Sequence, residues 1–199
     1  MIKVVLFDIG GVLIDYDNQM YYDYLSKTDK INKRLFLKSL DPLDRKIDGG
    51  KISRSGLEAK LADELGIQRS RIHYNKAFEN VAKTNKEVVK IAEALSKRYM
   101  LAILSDINEE RYEIVERKFI NTKIFSKIFL SYRAHLIKPD RRIFLYVLRG
   151  LKVKPKDILF IDNDIRNVRG AKTVGMNSIQ FKNVNQLKRD IGKFERKQR

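Results

Sequence analysis

VVLFDIGGVL, residues 4–13, ends a short apolar run with one carboxylate and follows it with two glycines. The four apolar residues 4–7 are typical of a strand that is covered on both faces, as in a parallel sheet. Because such a strand has no place for a charge in its interior, we expect Asp8 at its carboxyl end, within reach of solvent or ligand. Gly10 and Gly11 predict a sharp turn directly after it.

Further apolar segments of strand length occur along the chain, and helical patterns alternate with them. The segments are MLAIL (100–104), KIFL (127–130), DILFI (157–161) and, more weakly, NSIQF (177–181), and the helical patterns span 87–98, 109–119, 142–151 and 167–175. Strands that alternate with helices of this length indicate right-handed βαβ units. The sequence therefore predicts an α/β fold with a doubly wound, Rossmann-like parallel sheet of about five strands.

Residues 15 to 86 break this alternation. QMYYDYLSK, INKRLFLKSL and RSGLEAKLADELG have helical patterns, and the turn residues of DPLD and DGGK lie between them. No segment here has a good strand pattern. We therefore predict two domains, an α/β core made of residues 1–14 and 87–199 and a small all-helical cap at 15–86, inserted directly after the first strand.

The composition indicates a cytoplasmic protein whose surface attracts anions. The chain has no cysteine, which excludes disulfides, and no apolar run approaches the length of a signal-peptide core or a membrane helix. Lys and Arg total 42 against 25 acidic residues, a net charge of +17 that favours phosphates, nucleic acid or acidic partners. The densest basic run, LKRDIGKFERKQR, has few aromatic residues for base stacking, so a solvated final helix is favoured over a nucleic-acid site.

Polar residues follow the predicted strands at the points where ligands bind in doubly wound sheets. Ligands of such sheets lie at the carboxyl ends of the strands, near the point where the strand order reverses. A hydroxyl, an ammonium and several carboxylates occupy these positions. They belong to Asp8, Ser105, Asp106, Lys138, Asp162, Asn163 and Asp164.

Four segments in this order resemble the haloacid dehalogenase (HAD) superfamily of hydrolases. They are VVLFDIGGVL, LAILSDIN, LIKPDRRIF and ILFIDNDIRNVRGAKTVGM, and the resemblance covers essentially the whole chain, including the helical insert. It implies a phosphatase that acts on a small phosphorylated substrate and uses Mg²⁺. Asp8 would attack phosphorus to form an aspartyl-phosphate, which water then cleaves.

The resemblance also implies roles for the residues that bind the phosphoryl group. Ser105 would hold a phosphoryl oxygen through its hydroxyl and nearby N–H groups, and Lys138 would neutralise charge on the phosphoryl group and on Asp8. Gly11 would let the backbone approach the substrate. Asp106 stands where the family usually has asparagine; it either joins this binding group or faces away and caps the helix that begins near Asn108.

The implied magnesium site consists of Asp8, the Gly10 carbonyl, Asp162 and Asn163. Magnesium prefers oxygen ligands, is satisfied by one or two carboxylates and keeps several waters. The competing interpretation of the acidic cluster is that Asp162 or Asp164 caps the following helix. Asn163 replaces a second metal-binding aspartate of the family, which predicts a weaker site.

Gly10 is the main departure from the family pattern, because most family phosphatases have a general acid–base aspartate at this position. The loss of such a group typically costs about 10²–10⁴-fold in rate. Three explanations stay open: a substrate with a good leaving group, or Asp15 or Asp17 as a substitute, with Asp15 favoured; a metal-independent dehalogenase; or a degenerate protein that only binds a phosphorylated ligand or nucleic acid.

Overall fold

A computed structural model of the chain describes residues 1–16, 18–29, 33–72 and 74–196. The first strand, β1 (Val4–Phe7), leads through a tight turn into a short strand β2, four helices and a short strand β3. Their bounds are β2 Ile14–Asp15, α1 Asn18–Asp29, α2 Lys33–Asp48, α3 Arg54–Leu65, α4 Tyr74–Val81 and β3 Lys83–Thr84.

The second part of the chain alternates between helices and strands, as the sequence predicts. In order, the elements are α5 Lys86–Ser96, β4 Met100–Ser105, α6 Glu109–Lys118, β5 Lys127–Leu130, α7 Ser131–Ala134, α8 Arg141–Leu151, β6 Ile158–Asp162, α9 Ile165–Thr173, β7 Asn177–Gln180 and α10 Val184–Arg196. Short 3₁₀ turns lie at Arg69–Arg71, Thr122–Ile124 and Pro155–Asp157.

The five strands β1, β4, β5, β6 and β7 form one parallel sheet in the order β5-β4-β1-β6-β7. After β1, the chain adds β4 and then β5 on one side of β1. It then adds β6 and β7 on the other side of β1. The reversal of strand order therefore lies at β1, which places the ligand crevice beside its carboxyl end. The predicted fold class is confirmed.

The burial of β1 explains why its sequence is continuously apolar. It pairs with β4 on one edge and β6 on the other, and its four residues are at most 1% exposed. Val5 and Phe7 join the apolar core on one face of the sheet, while Val4 and Leu6 join the core on the opposite face. Helices cover both faces, so an alternating polar pattern would have buried unpaired polar groups.

Strands β2 and β3 pair at the two ends of the helical segment, which contains helices α1 to α4. Ile14 lies opposite Thr84 and Asp15 opposite Lys83 in an antiparallel pair, and the Asn85 N–H donates to the Leu13 carbonyl at 2.9 Å. The sequence does not predict this pair, because two residues are too few to show a strand periodicity. The division into core and cap at residues 14 and 87 stays a prediction.

Two findings concern the helices, namely their apolarity and the location of the basic C-terminal run. Within the described part of the chain, no helix has both the length and the apolarity that crossing a bilayer requires. Residues 187–196 of the basic C-terminal run lie in α10, which packs Leu187 and Ile191 into the core. The nucleic-acid interpretation of that run stays a less favoured prediction.

Candidate active site

Asp8 directly follows β1 and is held there by both backbone and side-chain contacts. Its N–H donates to the Ile161 carbonyl at 2.9 Å, which extends the pairing of β1 with β6. Its Oδ1 accepts the Ile9 N–H at 2.8 Å and lies 2.9 Å from the Lys138 ammonium. Burial raises the pKa of Asp8 to about 7, against the opposing effect of the Lys138 charge.

Lys138 joins two buried carboxylates. Its Nζ lies 2.9 Å from Asp8 Oδ1 and 2.8 Å from Asp162 Oδ2, and the lysine side chain is 1% exposed. Burial alone would lower the pKa of this ammonium, but the charges of Asp8 and Asp162 outweigh it and keep the pKa above its usual value. Lys138 therefore stays protonated at neutral pH and supplies a fixed positive charge at the tip of β1.

Asp106 supports the loop that carries Lys138. Both of its carboxylate oxygens accept the backbone N–H of Lys138, at 3.0 and 3.1 Å. The alternative that Asp106 caps the next helix is wrong, because the Asn108 side chain caps α6 by accepting the Arg111 N–H at 3.0 Å. A role for Asp106 in substrate binding stays a prediction.

Asp162 ends β6 and is completely buried, with both carboxylate oxygens engaged. Its Oδ1 accepts the Asp164 N–H at 2.7 Å, and its Oδ2 accepts Lys138 Nζ and, at 3.0 Å, Asn167 Nδ2. Asp164 caps α9 by accepting the Arg166 N–H, as one of the two sequence interpretations predicts. As the predicted metal ligand, Asp162 would have to bind the ion through an oxygen that also accepts one of these hydrogen bonds.

The remaining predicted metal ligands offer oxygen atoms that suit magnesium. Asp8 has a second carboxylate oxygen beside the one that faces Lys138, and the Gly10 carbonyl accepts no hydrogen bond from the described residues. Asn163 is exposed next to this turn. The described residues contain no group of three or more His, Cys, Asp or Glu that could hold a metal. The predicted ligands are carboxylate, carbonyl and amide oxygens, and this donor set fits Mg²⁺, which needs only one or two carboxylates and keeps several waters.

The two glycines after Asp8 have different surroundings. Gly11 has a φ of +73°, and a Cβ built on it would lie 2.3 Å from Asn163 Nδ2. A Cβ on Gly10 would meet nothing within 4 Å. Gly11 is therefore required by backbone conformation and by the close approach of Asn163, whereas position 10 faces open space.

Gly11→Ala is expected to lower stability by about 1–2 kcal/mol, because a left-handed φ disfavours a side chain and Asn163 must move. Thermal unfolding should show this as a melting temperature lower by roughly 2–8 °C. Gly10→Ala is the matched control, since its Cβ has room, and its melting temperature should stay within about 2 °C of wild type. Equal melting temperatures for both variants would contradict this account of the turn.

Ser105 and Asp106 line a cavity of about 680 Å³ next to Gly10. Ser105 is the last residue of β4 and is 2% exposed. Residues of the helical segment line the opposite side of the cavity, and they include both apolar and charged side chains. They are Tyr16, Tyr22, Pro42, Asp44, Arg45, Asp48 and Phe78.

The structure does not bring every predicted residue to this cavity. Gly11 and Asp15 line a separate, smaller cavity of about 290 Å³, and Asp15 is exposed, with Oδ1 3.3 Å from Asn85 Nδ2. The structure thus gives no geometric support for Asp15 as the substitute acid, and that role stays a prediction. Asp17, the other candidate, lies outside the described residues.

Arg111, which the sequence analysis missed, connects α6 to the helical segment at the cavity wall. Its guanidinium lies 4.2 Å from the centre of the Tyr74 ring, donates to the Tyr21 hydroxyl at 2.9 Å and is 3.6 Å from Asp44 Oδ1. The Tyr74 hydroxyl donates to the same Asp44 oxygen. A buried arginine that contacts aromatic rings and a carboxylate stabilises the packing of these elements only while all of its partners are present.

Asp48, the last residue of α2, is a second cavity residue that the sequence analysis missed. Its Oδ1 accepts the Asn108 amide at 3.0 Å, and its carbonyl accepts the Ser131 hydroxyl at 2.5 Å. Burial raises the pKa of Asp48 to about 7, opposed by Arg111 and reinforced by Asp44 and Asp106. DGGK is typical of a turn, so the sequence gives no signal for this carboxylate except its charge.

Comparison with known proteins relates the chain to a family of hydrolases. A family model described as haloacid dehalogenase-like hydrolase matches residues 2–175. D-ribitol-5-phosphate phosphatase of Bacteroides thetaiotaomicron is 25% identical over 196 residues, covering 92% of this chain and 93% of the relative. A HAD family enzyme of the same organism, crystallised with magnesium and inorganic phosphate, matches with a TM-score of 0.78 at 22% identity, covering 92% of this chain and 95% of that one.

One relative is much longer than this chain. Drimenol cyclase drtB of Aspergillus calidoustus is 24% identical over 198 residues, which cover 96% of this chain but 36% of the relative. The chain therefore spans about a third of that protein, whose named activity belongs to the longer molecule.

Proposed function

The chain belongs to the haloacid dehalogenase-like hydrolases, and from this membership we propose that it is a Mg²⁺-dependent phosphatase of a small phosphorylated metabolite. The observation that carries the proposal is the ion pair between Asp8 and Lys138 at the strand-order reversal, beside a cavity that Ser105 lines. The relative named D-ribitol-5-phosphate phosphatase supports a sugar phosphate or sugar-alcohol phosphate as the substrate class.

Asp8 is the nucleophile in this proposal. Its Oδ1 is held by the Ile9 N–H and Lys138, so the carboxylate is fixed in orientation for attack on phosphorus. The Lys138 charge lowers the repulsion between the carboxylate and the incoming phosphoryl group. Because burial alone favours the neutral acid, this lysine also keeps Asp8 available as a carboxylate near neutral pH.

Ser105 and Lys138 hold the phosphoryl oxygens on the other sides. Phosphoryl transfer depends mainly on positioning and on neutralising charge. Both residues are buried, and Lys138 is held between Asp8 and Asp162. Asp8, the Gly10 carbonyl and Asn163 would hold Mg²⁺, with Asp162 near them. When bound, the ion supplies further positive charge to the phosphoryl oxygens.

The helical segment chooses the substrate in this proposal. It contributes Arg45 and two carboxylates to the cavity, together with aromatic rings. Such a wall suits the hydroxyl groups and carbon skeleton of a sugar-like leaving group. Residues 15–86 would thus act as the cap that excludes water during the reaction.

Phosphate release from a panel of substrates tests this function, with and without EDTA. The panel contains D-ribitol 5-phosphate, a sugar 1-phosphate and acetyl phosphate, and 2-chloropropionate is included with a chloride assay. We expect phosphate release that EDTA lowers by at least about tenfold and that added Mg²⁺ restores. EDTA-insensitive chloride release would establish the dehalogenase, and background rates on every compound would leave only a binding protein.

A further inference from the structure

We propose that Asp48 is the general acid–base residue of this enzyme, in place of the aspartate that the family usually has at position 10. The inference rests on the phosphatase function proposed above and assigns one step of that reaction to a residue of the helical segment. Four features of the structure carry it: the space at Gly10, the location of Asp48, its hydrogen bonds, and the engagement of the other carboxylates.

The space at Gly10 is open rather than filled by another residue. Gly10 lines the cavity, and a Cβ built on it would meet nothing within 4 Å. The proton donor for the leaving oxygen therefore has to come from another wall of the same cavity.

Asp48 lies on such a wall, opposite the strand ends. It lines the cavity that Gly10, Ser105 and Asp106 also line. Its backbone is fixed to the loop after β4, because the Ser131 hydroxyl donates to the Asp48 carbonyl at 2.5 Å and also accepts the Ile107 N–H at 2.9 Å. The end of α2 is thereby held against the loop that follows Ser105.

The carboxylate of Asp48 is oriented but not fully engaged. Oδ1 accepts the Asn108 amide at 3.0 Å, while Oδ2 accepts no hydrogen bond from the described residues. Arg111, Asp44 and Asp106 are the charged groups that act on it, and with its burial they give a pKa of about 7. A carboxyl group with this pKa can donate a proton in one step and accept one in the next.

The other carboxylates around the cavity already have partners. Asp44 pairs with Arg111 and accepts the Tyr74 hydroxyl, so its charge stabilises the arginine. Both oxygens of Asp106 accept the Lys138 N–H. Among the described residues of this cavity, Asp48 combines one oxygen held by Asn108 with a second oxygen that can meet a substrate.

The reaction with Asp48 balances in two steps. As Asp8 attacks, the bond from phosphorus to the leaving oxygen breaks, and that oxygen takes the proton of the Asp48 carboxyl group to leave as an alcohol. A water molecule then attacks the aspartyl-phosphate and gives one proton to the Asp48 carboxylate. Inorganic phosphate leaves, Asp8 is again a carboxylate, and Asp48 is again protonated.

Asp48→Asn tests the proposal with aryl phosphates whose leaving groups differ in basicity. Protonation matters most for a basic leaving oxygen, so kcat/KM for phenyl phosphate should fall by about 10²-fold or more. For 2,4-dinitrophenyl phosphate, whose leaving group needs no proton, kcat/KM should change by less than about threefold. Asp63→Asn, an exposed carboxylate of α3, is the matched control and should change neither value.

Rescue at position 10 distinguishes acid–base chemistry from a structural role. Gly10→Asp combined with Asp48→Asn should recover at least about tenfold of the lost activity on phenyl phosphate, because a side chain at position 10 has room and position 10 lines the cavity. Gly10→Asp alone, with Asp48 intact, should raise that activity by no more than about twofold. A tenfold gain in this single variant would show that the native chain lacks an acid and would overturn the proposal.

Other outcomes separate failure of this inference from failure of the proposed function. An equal loss for both aryl phosphates in Asp48→Asn, or no loss for either, would overturn the role of Asp48 and leave the phosphatase standing. Absence of phosphate release from all substrates in the wild-type protein would remove the proposed function, and the acid–base role with it.

Discussion

Asp8→Asn is expected to abolish phosphate release, with a loss of at least about 10³-fold in kcat on every substrate that the wild-type protein hydrolyses. The amide has nearly the shape of the carboxylate but cannot act as a nucleophile toward phosphorus. Since Asp8 is the only proposed residue that forms a covalent bond, no other side chain of the site can replace it. A steady-state phosphate assay over the substrate panel measures the loss.

The same substitution should leave the fold intact, which makes the loss of activity interpretable. Burial raises the pKa of Asp8 to about 7, so the ionised form is disfavoured in the folded protein and a neutral amide removes that cost. Lys138 keeps its contact with Asp162 at 2.8 Å. We expect a melting temperature within about 4 °C of wild type. Asp15→Asn, an exposed carboxylate outside the main cavity, should retain activity.

Lys138→Met is expected to have the largest effect on stability, because it leaves Asp8 and Asp162 buried without their shared cation. Removing one partner of a buried ion pair costs about 3–5 kcal/mol. For a chain of 199 residues this corresponds to a melting temperature lower by roughly 6–20 °C. Activity should also fall by at least about 10²-fold, since the variant lacks the charge that faces the phosphoryl group.

The stability loss of Lys138→Met should depend on pH in a defined direction. Without the lysine, burial and mutual repulsion raise the pKa of Asp8 further above its usual 3.8. The folded variant then binds more protons than the unfolded chain between about pH 4 and this raised pKa, so its stability falls as the pH rises through that window. Relative to wild type, the deficit in melting temperature should be smaller at pH 5 than at pH 8.

Lys172→Met is the matched control for this experiment, because Lys172 is an exposed lysine of α9. It should leave both the melting temperature and its pH dependence unchanged. A Lys138→Met protein as stable as this control at pH 8 would show that the two carboxylates do not depend on the ammonium.

The core of the fold was predictable because its strands are buried on both faces. VVLF (4–7) and ILFI (158–161) are continuously apolar since β1 and β6 are buried on both faces of the sheet, and this pattern is distinct from an alternating one. Asp8, Ser105 and Asp162 were predictable as a group because parallel strands place their carboxyl ends at one edge of the sheet. Lys138 lies in a loop several residues after β5. The prediction that it acts beside Asp8 depended on the family resemblance.

Contacts between distant segments were not predictable. Asp48 meets Asn108, which is 60 residues away, and no local pattern relates a residue at the end of α2 to the loop after β4. Asp106 and Asn108 are both residue types that cap helices, so the sequence could not decide which of them caps α6. Strands β2 and β3 have only two residues each and depend on tertiary contacts.

Covalent phosphorylation of Asp8 is the most direct test of the account. The wild-type protein is mixed with acetyl phosphate and Mg²⁺, quenched in acid during turnover, digested with pepsin at acid pH to preserve the acyl phosphate, and analysed by mass spectrometry. We predict one phosphoryl group on the peptide that contains Asp8, located at Asp8 by fragmentation and missing in Asp8→Asn. Continued hydrolysis with no phosphoryl group on this peptide, or with one on a different residue, would contradict it.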